Sequence, residues 1–410
     1  MAKIRPFRAI RPQRDKVHLV ATRPFYTYKK NVLKAKMEDN PFTFLHIINP
    51  EFDLTIKTKP NSKERFQLVK SRYDDFLKSG VLFKEKEPAL YIYRQTTSSA
   101  IFTGVIGGAS VAEYQNDAIK KHEATLTSRE SMFTNYLEEV GYNAEPVLLS
   151  YKGNEAINSL IIACISSRPE YEFTTTDLIK HELWVINEQD TDKIQVAFEK
   201  ISCVYIADGH HRSASSSKLL TNRINSERPV LGAADFLAYF VAEEILSILE
   251  FNRLISSLAG YTKNTFLHAL TAIGAVQKLD KVRKPLHEHE FCFYLESEWY
   301  SLALFDYLID EEHPVKSLDS DLLTEFILKP LLGIKDLKTS DQVEFLPGNE
   351  PLERITSLVD SGKFAIGFIL FPITIKQVKK VADNQLNMPP KSTYIEPKLR
   401  SGLTIYDINE

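Results

Sequence analysis

Five consecutive residues, Asp208-Gly209-His210-His211-Arg212, set one carboxylate, two imidazoles and one guanidinium around a single glycine. The run before them, Ser202 to Ala207, is rich in Cys, Val, Tyr and Ile and carries no charge, which predicts a buried strand. The residues after them, from about Ser213 to Ile224, read as a helix. Strand, glycine turn and helix N-terminus together attract an anion, because the first helical N–H groups and the helix dipole face the turn. Arg212 adds a forked donor suited to phosphate, while His210 and His211 add donors or a proton carrier near neutral pH. Adjacent histidines point to different sides of a backbone, so one metal held by both is not expected. Asp208 has three readings: a Mg²⁺ ligand, an orienting partner for a histidine, or a helix cap. The bland alternative for the pentad is a capped helix with a surface histidine pair. Packing gives no reason to place three ionisable side chains straight after a buried strand, so phosphate chemistry is the preferred reading.

A second group of chemically capable residues lies near the end of the chain. Pro389 and Pro390 stiffen an entry that cannot be helical. Lys391, Ser392, Thr393, Lys398 and Arg400 then place two hydroxyls and three cations within ten residues. Such a loop can cover a polyphosphate; the alternative is a tail held by surface ion pairs. His181 and Trp184 can stack on a base, against the commoner reading of a core tryptophan. His287 and His289, two apart on an expected strand, share a face but lack an evident third ligand, so an exposed pair is the expectation.

The bulk composition sets the frame for these residues. At 410 residues the chain can bury a large core, and 51 Lys plus Arg against 54 Asp plus Glu leaves a net charge of -3. That balance provides no general field for nucleic acid or a membrane, although the first sixteen residues are locally basic. Three scattered cysteines, Cys164, Cys203 and Cys292, form no CxxC pair; Cys164 and Cys203 lie in apolar runs and read as buried, inert thiols. With no signal-peptide pattern and no apolar stretch of membrane-spanning length, a cytoplasmic protein is expected. No Walker loop, Rossmann fingerprint, zinc motif or GxSxG elbow is present, and oligomeric state is not readable.

The elements that must position these residues follow from patterning. KIRPFRAI and KVHLVAT read as short opening strands broken by Pro12 and Pro24. A helix follows Ser62, with Phe66, Val69, Tyr73, Phe76 and Leu77 at helical spacing and Gly80 closing it. ALYIYRQ, AIFTGVIGGASV and EPVLLSY read as strands, separated by a charged helical segment from about Glu113 to Glu139. From Glu182 strands and helices alternate. FLAYFVAEEILSILEF fits two strands or one helix. FCFYL and YSLALF form a hairpin, and helices at 319–332 and 374–385 flank a buried strand in FAIGFILF. The expected fold is α/β to α+β with mixed sheets, an N-terminal region 1–245 ending in the DGHHR core, and a C-terminal region 246–410 with the closing loop.

The motifs carry a family resemblance. VYIADGHHRSA (204–214) resembles the DGHHR signature of the ParB/sulfiredoxin-like nucleotide-binding superfamily and of ParB-like free serine kinases. The chain as a whole resembles a bacterial family known only as a domain of unknown function, number ten-fifteen. IRPFRAIRP at the start, KKHEATL at 120–126, HELWVI at 181–186, FNRLI at 251–255 and MPPKSTYIEPKLRSGL at 388–403 carry that likeness. The resemblance implies a ParB/sulfiredoxin-like strand-turn-helix core that binds phosphate. It further implies Mg²⁺-assisted phosphoryl transfer between ATP or ADP and the hydroxyl of free serine, in a direction the sequence leaves open. Only Asp208, Gly209, His210, His211 and Arg212 carry over residue by residue. The family pattern also raises Glu123, otherwise part of a solvated helix face, to a candidate base or metal ligand, with His122, Arg23 and Arg253 as secondary candidates.

The departures open alternatives. Relatives usually show Pro-Tyr-Asp where this chain has Pro24-Phe25-Tyr26, and SRESMF (128–133) keeps only Glu130 of an acidic-then-Arg pattern. A phosphoserine phosphatase-like hydrolase and a non-catalytic nucleotide- or phosphate-binding regulator therefore stand beside the transferase. In each case the expected partner is a small-molecule phosphate or nucleotide.

Overall fold

A computed structural model describes residues 2–55 and 57–410, with the side chain of Tyr26 outside the described set. The chain divides into two compact units. The first comprises Met1–Lys121, Thr125–Leu246 and Pro397–Glu410; the second comprises His122–Ala124 and Ser247–Glu396.

The first unit is organised on a nine-stranded mixed sheet. Its order runs Ile119–Lys120, Val204–Asp208, Val147–Tyr151, Asp235–Ala242, Ile101–Ser110, Tyr91–Thr96, Lys180–Val185, Tyr171–Thr174, with Ile4–Arg5 paired to Ile101–Ser110 off that path. Two pairings are parallel, Val204–Asp208 with Ile119–Lys120 and Asp235–Ala242 with Val147–Tyr151. The central strands are buried along nearly their whole length, as their continuous apolar runs require of a sheet covered on both faces. Val147, Leu149, Val204, Ile206, Phe236 and Phe240 meet in the main core. A second cluster gathers Ile10, Phe44, Val69, Tyr73, Tyr142 and Ile405, so the last residues of the chain help to close this unit.

The second unit carries a six-stranded, wholly antiparallel sheet. The order is Gly274–Leu279, Glu298–Leu304, Glu290–Leu295, Ile366–Ile369, Phe251–Ile255, Val343–Pro347. Alternate residues feed separate cores on its two faces: Ile255, Phe291 and Phe293 join one, while Leu254, Cys292 and Tyr294 join the other. A short two-stranded ladder pairs Ser247–Leu249 with Tyr394–Glu396.

Several expectations hold with shifts of a few residues, including the Ser62-capped helix Lys63–Lys78 and the hairpin Glu290–Leu295 with Glu298–Leu304. FLAYFVAEEILSILEF resolves as strands, because Asp235–Ala242 lies between two strand partners. Others are corrected. Val17–Val20 is a helix rather than a strand, with Val17 and Val20 buried one turn apart. The expected helix over 113–139 is interrupted: Val111–Gln115 ends at Asn116, Asp117 takes φ 65, Ile119–Lys120 joins the sheet, and the helix resumes as Thr127–Val140. A left-handed residue cannot continue a helix, and KKHEATL is consequently mostly loop. His287 and His289 precede their strand rather than lie on it, and His289 has φ 68. Only Cys292 is fully buried; Cys164 and Cys203 are half-buried. Among the described residues, no helix is long and apolar enough to cross a membrane.

Candidate functional site

The strand Val204–Asp208 ends in an irregular pairing with Val147–Tyr151, where Asp208 faces Leu148. Gly209 then turns at φ 105, a left-handed conformation that only glycine adopts without strain, and the helix His210–Asn225 begins at once. Its first internal bond runs from the N–H of Ser213 to the Gly209 carbonyl at 3.1 Å, so the N–H groups of 210–212 belong to the helix end rather than its interior ladder. His210 is buried, whereas Asp208, His211 and Arg212 are half-buried.

Charge around the turn is arranged in pairs. Arg212 Nη2 is 3.1 Å from Asp208 Oδ2, and Lys398 Nζ is 3.5 Å from Asp208 Oδ1. Arg212 Nη1 reaches Glu145 Oε1 at 3.0 Å and also donates to the carbonyls of Glu145 and Pro146. Arg212 thus ties its own turn to the entry of the neighbouring strand. A Cβ added to Gly209 would lie 3.1 Å from that guanidinium, a second reason for glycine there.

The closing segment laces this turn to a second charged group in the same unit. Ser401 exchanges backbone hydrogen bonds with Thr22 at 3.1 and 2.9 Å, and its hydroxyl donates to Glu145 Oε2 at 3.1 Å. One residue earlier, buried Arg400 donates through Nη2 to both oxygens of Asp177, at 2.9 and 2.8 Å, and to Thr175 Oγ1 at 3.0 Å. Arg23 lies 4.0 Å from Asp177 and stacks over Tyr28. Behind them, wholly buried His181 meets Tyr93 Oη through Nδ1 at 2.7 Å and Thr175 Oγ1 through Nε2 at 3.2 Å. Burial, and then the Arg400 charge, push the His181 pKa down to about 3, so the ring is neutral. Burial pushes the Tyr93 hydroxyl up, which keeps its proton; the Thr175 hydroxyl donates to Asp177 Oδ1 and so accepts the His181 Nε2–H, which leaves Nδ1 to accept from Tyr93. Burial raises the Asp177 carboxyl, but the Thr175 hydrogen bond and Arg400 outweigh it, and the group is held below the ordinary range.

The first unit therefore brings together Asp208, Gly209, His210, His211, Arg212, Lys398, Arg400 and Arg23. Glu145, Thr175, Asp177 and Ser401 complete the arrangement, and nothing in their local sequence marks them. His181 and Trp184 offer no surface for a base: both are buried, and the indole N–H donates to the Ser167 carbonyl at 2.9 Å. The side chain of Tyr26 lies outside the described residues.

Lys391, Ser392, Thr393, Arg253, His122 and Glu123 belong to the second unit. Arg253 donates to the Lys391 carbonyl at 3.0 Å, and the His122 carbonyl accepts from the Met388 N–H at 2.8 Å. His122 is buried and Glu123 exposed, on the loop between Ile119–Lys120 and Thr127–Val140. Among the described residues, no group of three or more His, Cys, Asp or Glu side chains is placed to hold a metal ion.

Fold and site define a mixed α/β protein of two units with a glycine-turned strand-to-helix junction flanked by paired charges. The chain belongs to the family described as "Protein of unknown function (DUF1015)", whose pattern matches residues 4–321. No curated protein matches it. Among solved structures it is similar to C-terminally truncated SbnI from Staphylococcus aureus, at 11% identity and TM-score 0.37 over 71% of this chain and 82% of that one. A free serine kinase in complex with AMP is similar at 14% identity and TM-score 0.35, over 73% and 91%. A conserved hypothetical protein from Pyrococcus furiosus is similar at 15% identity and TM-score 0.34, over 73% and 95%. Likeness at this level carries no argument about the site.

Proposed function

We propose that this protein transfers a phosphoryl group between a nucleotide, ATP or ADP, and the hydroxyl of free serine, with the 208–212 turn as its phosphate-holding centre. The observation that supports this reading is the turn itself: a glycine at φ 105 joins a buried strand to a 16-residue helix, with two imidazoles in the first helical turn and Lys398 alongside. Phosphoryl transfer asks a protein for positioning and charge stabilisation more than for covalent chemistry. The helix-end N–H groups, His210 and His211 would hold the phosphate, and Lys398 would leave Asp208 to meet its charge. Arg212 would keep Asp208 and the turn in place. Arg400 and Arg23 would supply further positive charge at the closing segment.

The donor set does not fit a resident Mg²⁺. Both oxygens of Asp208 face cations, and Mg²⁺ prefers an octahedron of oxygens with carboxylate and phosphate ligands.

One observation favours the second reading, a nucleotide- or phosphate-binding regulator without turnover. The Nη1 and Nη2 donors of Arg212 are already engaged by Asp208, Glu145 and two carbonyls. Phosphorus NMR of the protein with Mg²⁺ and phosphoserine, with and without ADP or AMP, separates the readings. Nucleotide-dependent loss of phosphoserine, absent in Lys398→Ala and Arg212→Ala, is expected. Free phosphate released without nucleotide would mean a hydrolase, and binding without any turnover would leave the regulator.

A further inference from the structure

Arg253 is among the largest fully buried side chains of the protein, 1% exposed on the strand Phe251–Ile255. Among the described residues it makes no ion pair. Its Nη1 donates to the Phe251 carbonyl at 2.6 Å and its Nη2 to the Lys391 carbonyl at 3.0 Å. The Phe345 ring covers the guanidinium at 4.6 Å, and Nε is buried with no acceptor among the described residues. Burial alone pushes its pKa down to about 9. A buried cation without a counter-charge costs several kcal/mol of desolvation, and two carbonyls with one ring offset only part of that.

The segment held by Arg253 has the donors an anion needs. Pro389 and Pro390 have no N–H, and Lys391 takes φ 57, a left-handed conformation that is uncommon for a side chain of its size. Residues 390 and 391 form a turn that closes from the Ser392 N–H toward the Pro389 carbonyl, while the N–H groups of Lys391 and Thr393 make no backbone hydrogen bond among the described residues. Ser392 Oγ is spent internally, on the Pro389 carbonyl at 2.7 Å and Ser320 Oγ at 2.9 Å. The exposed Lys391 side chain sets its Nζ over the Phe251 ring at 5.2 Å. Two N–H groups, an ammonium and a hydroxyl thus lie on a turn whose Lys391 carbonyl is fastened to an uncompensated positive charge.

We infer that the 389–393 turn and Arg253 form an anion site of the second unit, for a phosphate group, made of residues other than those of the 208–212 turn. The N–H groups of Lys391 and Thr393, the Lys391 ammonium and the Thr393 hydroxyl donate to the phosphate. Arg253 supplies the buried positive charge and fixes the shape of the turn. It is a positioning residue, and the site stands whether or not the 208–212 turn transfers phosphate.

Calorimetric titration of the full chain with inorganic phosphate, paired with amide exchange at short labelling times over 389–394 and 208–213, tests this. Phosphate is expected to slow exchange at 391–393 in the wild type and equally in Arg212→Ala. In Arg253→Met the affinity read at 391–393 should fall about tenfold or more, the worth of one charge-assisted contact. Arg253→Lys, which keeps the charge but loses the fork, should fall between the two; it also serves if the methionine variant does not fold. Wild-type protection at 391–393 in both Arg253 variants overturns the inference, as does phosphate that slows exchange only at 208–213 or nowhere. Slowing at 391–393 alone supports this site while counting against the proposed function. AMP and phosphoserine, run as separate arms, distinguish the source of the phosphate.

Discussion

The two basic regions of this protein handle charge in opposite ways. Around the 208–212 turn every arginine has an acid beside it: Arg212 has Asp208 and Glu145, while Arg400 and Arg23 share Asp177. In the second unit Arg253 is buried with two carbonyls and an aromatic ring for company. A ligand phosphate at the first region must compete with carboxylates already in place, so binding there exchanges one ion pair for another. At the second it would neutralise a charge that folding left exposed to no counter-ion. The first arrangement suits a site that rearranges during a reaction, the second a site that simply holds.

Four changes break or sharpen that contrast. Asp177→Ala strips buried Arg400 of its acid and should make the first unit resemble the second at a cost of about 3–5 kcal/mol, read from denaturant unfolding. An unchanged midpoint would mean that Arg400 is adequately satisfied by Thr175 and solvent.

The second unit also holds a buried acid. Asp319 accepts the His289 N–H at 2.9 Å, and burial pushes its carboxyl from 3.8 to about 7. Its folded form therefore retains a proton that the unfolded chain releases, and stability should decline as pH rises from about 4 through about 7. In Asp319→Asn that decline should flatten. A wild-type profile that rises over the same window would show the carboxylate to be well compensated.

Gly209→Ala forces a side chain into φ 105 and against Arg212 and is expected to destabilise by about 1–3 kcal/mol, with phosphate binding at the turn reduced. Thermal melting and titration of the same sample check both. Arg23→Ala should do least, less than about 1 kcal/mol, because its pair with Asp177 is long and partly exposed. A larger loss would show that Arg23 is integral to the Arg400–Asp177 group.

Much of the local structure was legible in the residues. Ser202–Ala207 read as a buried strand and formed Val204–Asp208, since a continuous apolar run has few other uses. The helix after Ser62 was equally plain because its cap, period and closing glycine agree. The segment 113–139 misled because charged residues suit a helix surface and a loop alike, and the left-handed Asp117 has no strong sequence mark. Trp184 and His181 read ambiguously for a related reason: burial is decided by strand partners far away in sequence.

By itself the sequence determined the Asp208–Arg212 turn, its flanking strand and helix, and the need for glycine between them, because those depend on neighbours within a few bonds. Tertiary structure decided what each charge does. Glu145 reaches Arg212 from 67 residues away, Asp177 meets Arg400 across 223, and Arg253 finds the Lys391 carbonyl across 138. Electrostatic partnership acts through space and is set by strand pairing, so no local pattern could separate the compensated arginines from the uncompensated one.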